Sequence, residues 1–318
     1  MTTSKAFASV GDTEAKNISF TQLGEGLYAF TAEGDPNTGV IVGDDAVMVI
    51  DTQATPIMAQ QVLKYIREVT DKPVRYVVLS HYHAVRVLGA SAYQPQQIIA
   101  SAATRSLIVE RGQEDWDSEY GRFPRLFQSA ESIPGLTWPT LTFTNQMTVY
   151  LGKRRVEIMH LGRAHTAGDT VAWVPDAGVM FSGDTVEFHS ACYCGDAHFR
   201  DWPGTIGKLR EFQPQALLPG RGDALTTPDM VEEGIRLTQN FLRDTYSPVA
   251  AAAAQGRSLK DAMSMCREVC DPKYSDFAIY EHCLPFNVAR AYDEASGLDH
   301  PRIWTAERDQ LMWANLQE

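Results

Sequence analysis

An α/β fold is what this chain predicts, and three observations carry that expectation. Short apolar runs end repeatedly in residues able to do chemistry, and a well-marked helix opens between two of them. The 318 residues, 44% hydrophobic and 21% charged, are also enough to bury a large core. Residues 27–31, 40–43 and 46–50, the last running into Asp51, read as strands because they are short, apolar and bounded by turn formers. Thr55-Pro56 then opens a helix, with Thr as N-cap and Pro at its first position, and Met58, Val62, Ile66 and Val69 fall on one face. Residues 74–80 form the next run, rich in β-branched side chains. His81-Tyr82-His83 therefore stands just past the C-terminal end of a strand, where open α/β sheets bind ligands.

Residues 104–139 interleave Trp116, Tyr120, Phe123, Phe127 and Trp138 with Glu114, Asp115, Asp117 and Glu119. That composition is too aromatic for a linker and reads as a helical insertion packed on the sheet, or as a lid over a pocket. Strand-like runs return at 155–160, 170–174, 178–181 and 216–218. From Pro228 the pattern turns helical: Val231, Ile235 and Leu242 share a face, Ser258 caps a run carrying Asp261, and Pro285 is expected to break a third helix. The organisation expected is a main domain over 1–227 and a helical extension over 228–318, packed on that domain to wall a pocket or to form a homodimer.

A formal charge of −12 argues against nucleic-acid or anionic-membrane partners, which need a basic face. No apolar run reaches membrane-spanning length and the first 17 residues lack a secretory pattern, so a soluble cytoplasmic protein is expected. The five cysteines, Cys192, Cys194, Cys266, Cys270 and Cys283, suit reduced thiols better than a disulfide framework. Cys266 and Cys270, four apart on an expected helix, read as packed side chains.

His81 and His83 offer half of a metal site, provided a turn lets both converge on one ion. The pattern gains specificity from the ordered series around it. Asp51 ends one strand, Ser80-His81-Tyr82-His83 follows another, and Gly162-Arg163-Ala164-His165-Thr166-Ala167-Gly168-Asp169 a third. Ser182-Gly183-Asp184-Thr185 and Pro219-Gly220-Arg221-Gly222 follow two more. This series resembles the metallo-β-lactamase superfamily over roughly residues 27–222. The resemblance implies an αββα sandwich with a metal centre at the edge shared by its two sheets. It also implies a first metal site of His81, His83 and His165, with Asp184 as the usual bridging carboxylate. The second site departs from the family pattern: its Asp falls at Val85, and two of its histidines fall at Arg86 and Arg221.

A guanidinium has no lone pair to offer and keeps its charge, so Arg86 and Arg221 would repel a second cation. They would instead restore its charge and grip an anionic substrate group, or else pair with Asp184 and hold loops together. Three histidines on one divalent ion, Zn2+ by expectation, leave an open position where bound water is acidified to a pKa of about 7. The expected activity is thus a mononuclear metallohydrolase acting on an ester, lactone or amide bond of a small anionic molecule, with Asp184 as a further ligand or as the residue that orients the water. Two alternatives use the same residues. One is a non-haem Fe2+ dioxygenase resembling the persulfide dioxygenases, with His81, His165 and Asp184 as a facial triad; the other is a degenerate, non-catalytic binding protein. Tyr82 and His198 are further candidates for substrate contact, and the loop holding His189, Cys192, Cys194 and His198 is expected to line the pocket. His160 reads as structural, and His282 and His300 have no evident partners.

Overall fold

The computed structural model describes residues 8–317, with no side-chain description for Gln317. The first seven strands, β1 (Ile18–Gly24), β2 (Leu27–Ala32), β3 (Thr38–Val42), β4 (Val47–Ile50), β5 (Val74–Val78), β6 (Gln97–Ser101) and β7 (Leu141–Phe143), form one sheet in sequence order. Its first four strands pair antiparallel and its last four parallel. The second sheet runs in the order β12 (Ala216–Pro219), β11 (Val179–Gly183), β10 (Val171–Val174), β9 (Arg154–Met159), β8 (Gln146–Leu151), antiparallel except for the β11–β12 pair.

The period-2 alternation of these strands divides the core into layers. Met48 and Ile50 of β4 face the inter-sheet core with Ile158, Ala172, Val174 and Phe181, whereas Val47 and Val49 face outward to Ala59, Val62 and Ile66 of helix α1 (Pro56–Val69). Val171 and Trp173 of β10 likewise face outward, toward Val231, Ile235 and Leu242 of a helix near the C-terminus. Helix, sheet, sheet and helix are therefore stacked in that order. This is the αββα sandwich that the sequence series implies.

Thr55 caps α1 as expected, its Oγ1 accepting from the Met58 N–H at 3.2 Å. The buried face of α1 is Pro56, Ala59, Val62 and Ile66, whereas Val69 is exposed. The remaining helices are α2 (Ala84–Val87), α3 (Ala102–Arg122), α4 (Trp202–Gly207), α5 (Pro228–Ala254), α6 (Leu259–Tyr274), α7 (Tyr280–Ala295) and α8 (Ala306–Gln317). Ser258 and Asp261 form the expected capping box on α6. Pro285 does not end its helix, contrary to expectation: it sits inside α7, as Pro248 and Pro272 sit inside α5 and α6. Almost all of α7 is buried, from Tyr280 through Ala291, so tertiary packing holds the helix across the missing N–H. Helices α5 to α7 share one apolar cluster with the second sheet. Among the described residues, no helix is long and apolar enough to cross a membrane.

Phe181 is 1% exposed and lies in the inter-sheet core, where its ring fills the space that a side chain at Gly39 would need. Phe181→Ala should lower unfolding free energy by about 3–5 kcal/mol. In denaturant titration the midpoint should fall while the slope is unchanged.

Candidate metal centre

Every segment of the site leaves the C-terminal end of a strand. Asp51 follows β4, His81 and His83 follow β5, His165 lies in the loop after β9, Asp184 follows β11 and Arg221 follows β12. Close backbone approach is needed for these loops to meet. A side chain at Gly220 would collide with the Asp184 carboxylate, and Gly183, at φ +51°, has room only because it lacks a Cβ that would strike Ser80. Asp51 itself is held at φ +61°, with Oδ1 accepting from the Ser80 N–H at 2.8 Å and Oδ2 from the Ser80 hydroxyl at 2.7 Å. Burial, opposed mainly by Arg86, lifts the Asp51 pKa to about 6.

His81, His83 and His165 converge, with ligand-capable atoms within 4.8 Å of one another, and all three rings are buried. Hydrogen bonding on their outer sides fixes which nitrogens are free. The one hydroxyl hydrogen of Ser80 goes to Asp51, so His81 Nδ1–H donates to Ser80 Oγ at 2.9 Å and Nε2 keeps its lone pair, buried and without a partner. His83 Nε2 faces Asp196 Oδ2 at 3.2 Å, which leaves Nδ1 turned inward, 3.0 Å from His165 Nε2. Burial opposes charge on His83, yet Asp115, the hydrogen bond to Asp196 and Glu119 together lift its pKa to about 9. Burial takes the His165 pKa down to about 3. Three inward nitrogens, one of them an orphaned buried acceptor, with the Asp184 carboxylate beside them, suit a divalent cation.

Asp184 stands beside this triad, Oδ2 lying 3.8 Å from His81 Nε2 and 3.6 Å from His165 Nε2. Its other oxygen is engaged by Arg86 in a buried ion pair. Burial works against the Asp184 charge, but Arg86, His81, His165 and Arg221 overcome it and hold the carboxyl well below the usual carboxylate range.

The other expected site residues separate into two groups. Arg221 lines a cavity beside the triad, together with Val85, His83, His165 and Asp184. Arg86 does not line it: the side chain is 0% exposed, ion-paired with Asp184 and bonded to the Asn37 carbonyl at 3.2 Å, so it presents no edge to the cavity. Tyr82 also turns away, because the residue between two converging ligands must point to the opposite side; it is buried in the outer core of the first sheet and bonded to Asp196. His198 occupies a separate small cavity with Arg111, Asp196 and His300, its pKa lowered to about 4 by burial and by Arg163 and Arg290. In the 189–198 loop it is Tyr193 that lines the main cavity. Cys192 and Cys194 are buried thiols pushed up by desolvation, and His189 is exposed.

Glu119, Arg122, Phe123, Ile279, His282 and Cys283 complete the cavity wall and were not among the expected site residues. The first three close α3, so the aromatic insertion both packs on the sheet and covers the site. His282 has partners after all: Ser9 Oγ lies 2.5 Å from Nδ1 and Arg122 Nη1 3.4 Å from Nε2. His300 meets Glu110 and Arg111 away from the triad.

A family model described as the metallo-beta-lactamase superfamily matches residues 31–219. The chain is similar to the metallo-beta-lactamase type 2 of Bacteroides fragilis, 22% identical over 245 residues, which span 73% of this chain and 90% of that one. It is also similar to a linear primary-alkylsulfatase of a Pseudomonas species, 21% identical over 238 residues, covering 64% of this chain and 44% of that longer one. Among solved structures, a metallo-beta-lactamase from Pontibacter korlensis superposes with a TM-score of 0.56 at 20% identity, over 71% of this chain and 99% of that one. With a matching family model over more than half its length and a His81/His83/His165 metal site, this chain belongs to the metallo-beta-lactamase superfamily.

Proposed function

We propose that this protein is a mononuclear metallohydrolase that cleaves an ester, lactone or amide bond in a small anionic molecule. The observation that carries the reading is the Arg86–Asp184 ion pair. A fixed guanidinium occupies one oxygen of the carboxylate that would otherwise bridge two ions, and it has no lone pair to give to a metal. Val85 lines the cavity where a second-site carboxylate would be needed. One ion, preferably zinc, would be held by His81, His83 and His165, and its contribution is to acidify a water near neutral pH.

Asp184 Oδ2 faces the ligand atoms while Oδ1 stays on Arg86. A carboxyl held so far below its usual range is a weak base. Its role is to accept a hydrogen bond and orient the attacking water, or to complete the ligand set. Asp51 and Asp196 fix the outer nitrogens of His81 and His83, through Ser80 and directly, and thereby aim the rings. The site is enclosed by buried side chains, which favours a small molecule over a polymer. Arg221 on its wall favours an anionic one. The similarity to both a β-lactamase and an alkylsulfatase is compatible with such substrates.

Protein purified without added metal should contain one zinc per chain. His81→Ala and His165→Ala should each lose the ion and hydrolysis of an ester and lactone panel together. Full metal content in both variants would sink the ligand set, and one iron per chain with oxygen uptake on turnover would replace hydrolysis by dioxygenase chemistry.

Removal of one partner from a buried pair leaves an uncompensated charge. Arg86→Ala should therefore destabilise the fold by about 3–5 kcal/mol, read by denaturant titration. A loss under about 1 kcal/mol would mean that the pair behaves like an exposed one.

A further inference from the structure

Arg122 and Arg221 enter the metal cavity from opposite parts of the chain, the end of α3 and the loop after β12, and both line it with Tyr193, His282 and Cys283. Arg122 is 2% exposed and held from behind. Its Nε donates to Ser118 Oγ at 3.1 Å and meets Asp309 Oδ2 at 3.4 Å, while the Phe286 ring lies 4.3 Å from the guanidinium carbon. Neither Ser118, Asp309 nor Phe286 belongs to the cavity wall. The Nη edge instead faces residues that do, through long contacts: Nη1 is 3.4 Å from His282 Nε2 and Nη2 is 3.5 Å from the Tyr193 hydroxyl. Those distances leave both groups able to take a stronger acceptor.

Arg221 is less satisfied still. It is 6% exposed, its side chain makes one hydrogen bond, Nη1 to the Gly34 carbonyl at 2.9 Å, and no carboxylate lies within ion-pair distance among the described residues. A buried guanidinium without a counter-charge is costly unless something anionic meets it. Asp184 and Glu187 both feel the Arg221 charge, but neither pairs with its side chain: Asp184 is engaged by Arg86, Glu187 accepts from the Arg221 backbone N–H and is pushed toward its neutral form by burial, and Glu119 Oε2 accepts from the Val85 N–H at 2.9 Å. His282 is kept neutral by burial and by the two arginines, consistent with both cations sharing this end of the cavity.

We propose that Arg122 and Arg221 form an oxyanion seat, so that the substrate carries a compact carboxylate, sulfonate or sulfate group gripped there while its scissile bond lies at the histidine triad. This deepens the hydrolase reading and rests on it only for the scissile end. Two guanidinium edges match an oxyanion's divergent lone pairs, and Phe123, Ile279 and Val85 supply apolar wall for the body between the two ends.

Isothermal titration of the full chain, as purified and after chelation of its metal, with benzoate, benzenesulfonate and the neutral benzamide tests the seat. Either oxyanion should bind both forms, and Arg221→Gln and Arg122→Gln should each weaken it by at least about tenfold without changing benzamide binding. Because Arg122 is packed in the interior, its variant is checked by thermal melting. If it does not fold, Arg221→Gln and the charge-preserving Arg122→Lys carry the test, the latter expected to retain part of the oxyanion affinity. Absence of oxyanion binding, equal binding of benzamide, or wild-type oxyanion affinity in the arginine variants would overturn the seat. Arginine-dependent binding in a protein that hydrolyses no ester would leave the seat standing and remove the hydrolase reading. Ester hydrolysis indifferent to both arginines would do the reverse.

Discussion

The buried ion pair of Arg86 with Asp184 is the constraint around which the site is built. Both groups are removed from water, so each charge depends on the other: desolvation of either alone would cost several kcal/mol, about the magnitude of breaking a buried pair. The pair also ties distant segments together. Arg86 follows β5, Asp184 follows β11, and the Arg86 backbone carbonyl accepts from both the Thr52 N–H and the Thr52 hydroxyl beyond β4. With Asn37 added through its carbonyl, loops from both sheets are fixed by one side chain. A metal ion can perform the same cross-linking, but only when bound. A guanidinium makes that half of the site permanent.

The remaining half depends on outer-side support that differs from ligand to ligand. His81 is aimed through Ser80 by Asp51, whose own backbone is held in the left-handed region. His83 is aimed by Asp196, which is in turn held by Arg111 at 2.8 Å. His165 has no hydrogen-bonded partner on Nδ1 and is positioned by packing, its ring lying edge-on to Trp202. One ligand is thus fixed directly by a carboxylate, one through a hydroxyl relay to a carboxylate, and the third by shape. Any adjustment to an incoming ion falls most easily on His165.

The layered fold was legible because alternation and strand-end chemistry are local signals. Asp51, His81, Asp184 and Arg221 each stand close after a strand-like run and His165 in the loop that follows one, and the sandwich brings those ends together. The limits of the α1 buried face and the continuity of α7 through Pro285 were not legible, since both depend on what packs against the helix and not on the helix itself. The same reason explains Tyr82 and His198. Proximity in sequence to a ligand places a residue near the site but does not say which way its side chain points, and in both cases it points out. Arg122 and His282 had the opposite fate: nothing local distinguishes them, and only the packing of α3 and α7 over the strand ends puts them on the cavity wall.

That division has a functional consequence. The three histidines and Asp184 lie on segments within the region that the family model covers, whereas Arg221, Ile279, His282 and Cys283 lie beyond it. Arg122, although inside that region, belongs to the aromatic insertion. The centre therefore draws its candidate metal ligands from the region that the family model covers, and part of the far wall of its cavity from beyond it. Substrate preference follows the wall, because discrimination is set by which groups are left unpaired when the wrong molecule enters. On the proposed reading, Arg221 and Arg122 penalise a neutral ligand, so substrate choice would be written in α3, α7 and the loop after β12 more than in the histidine triad.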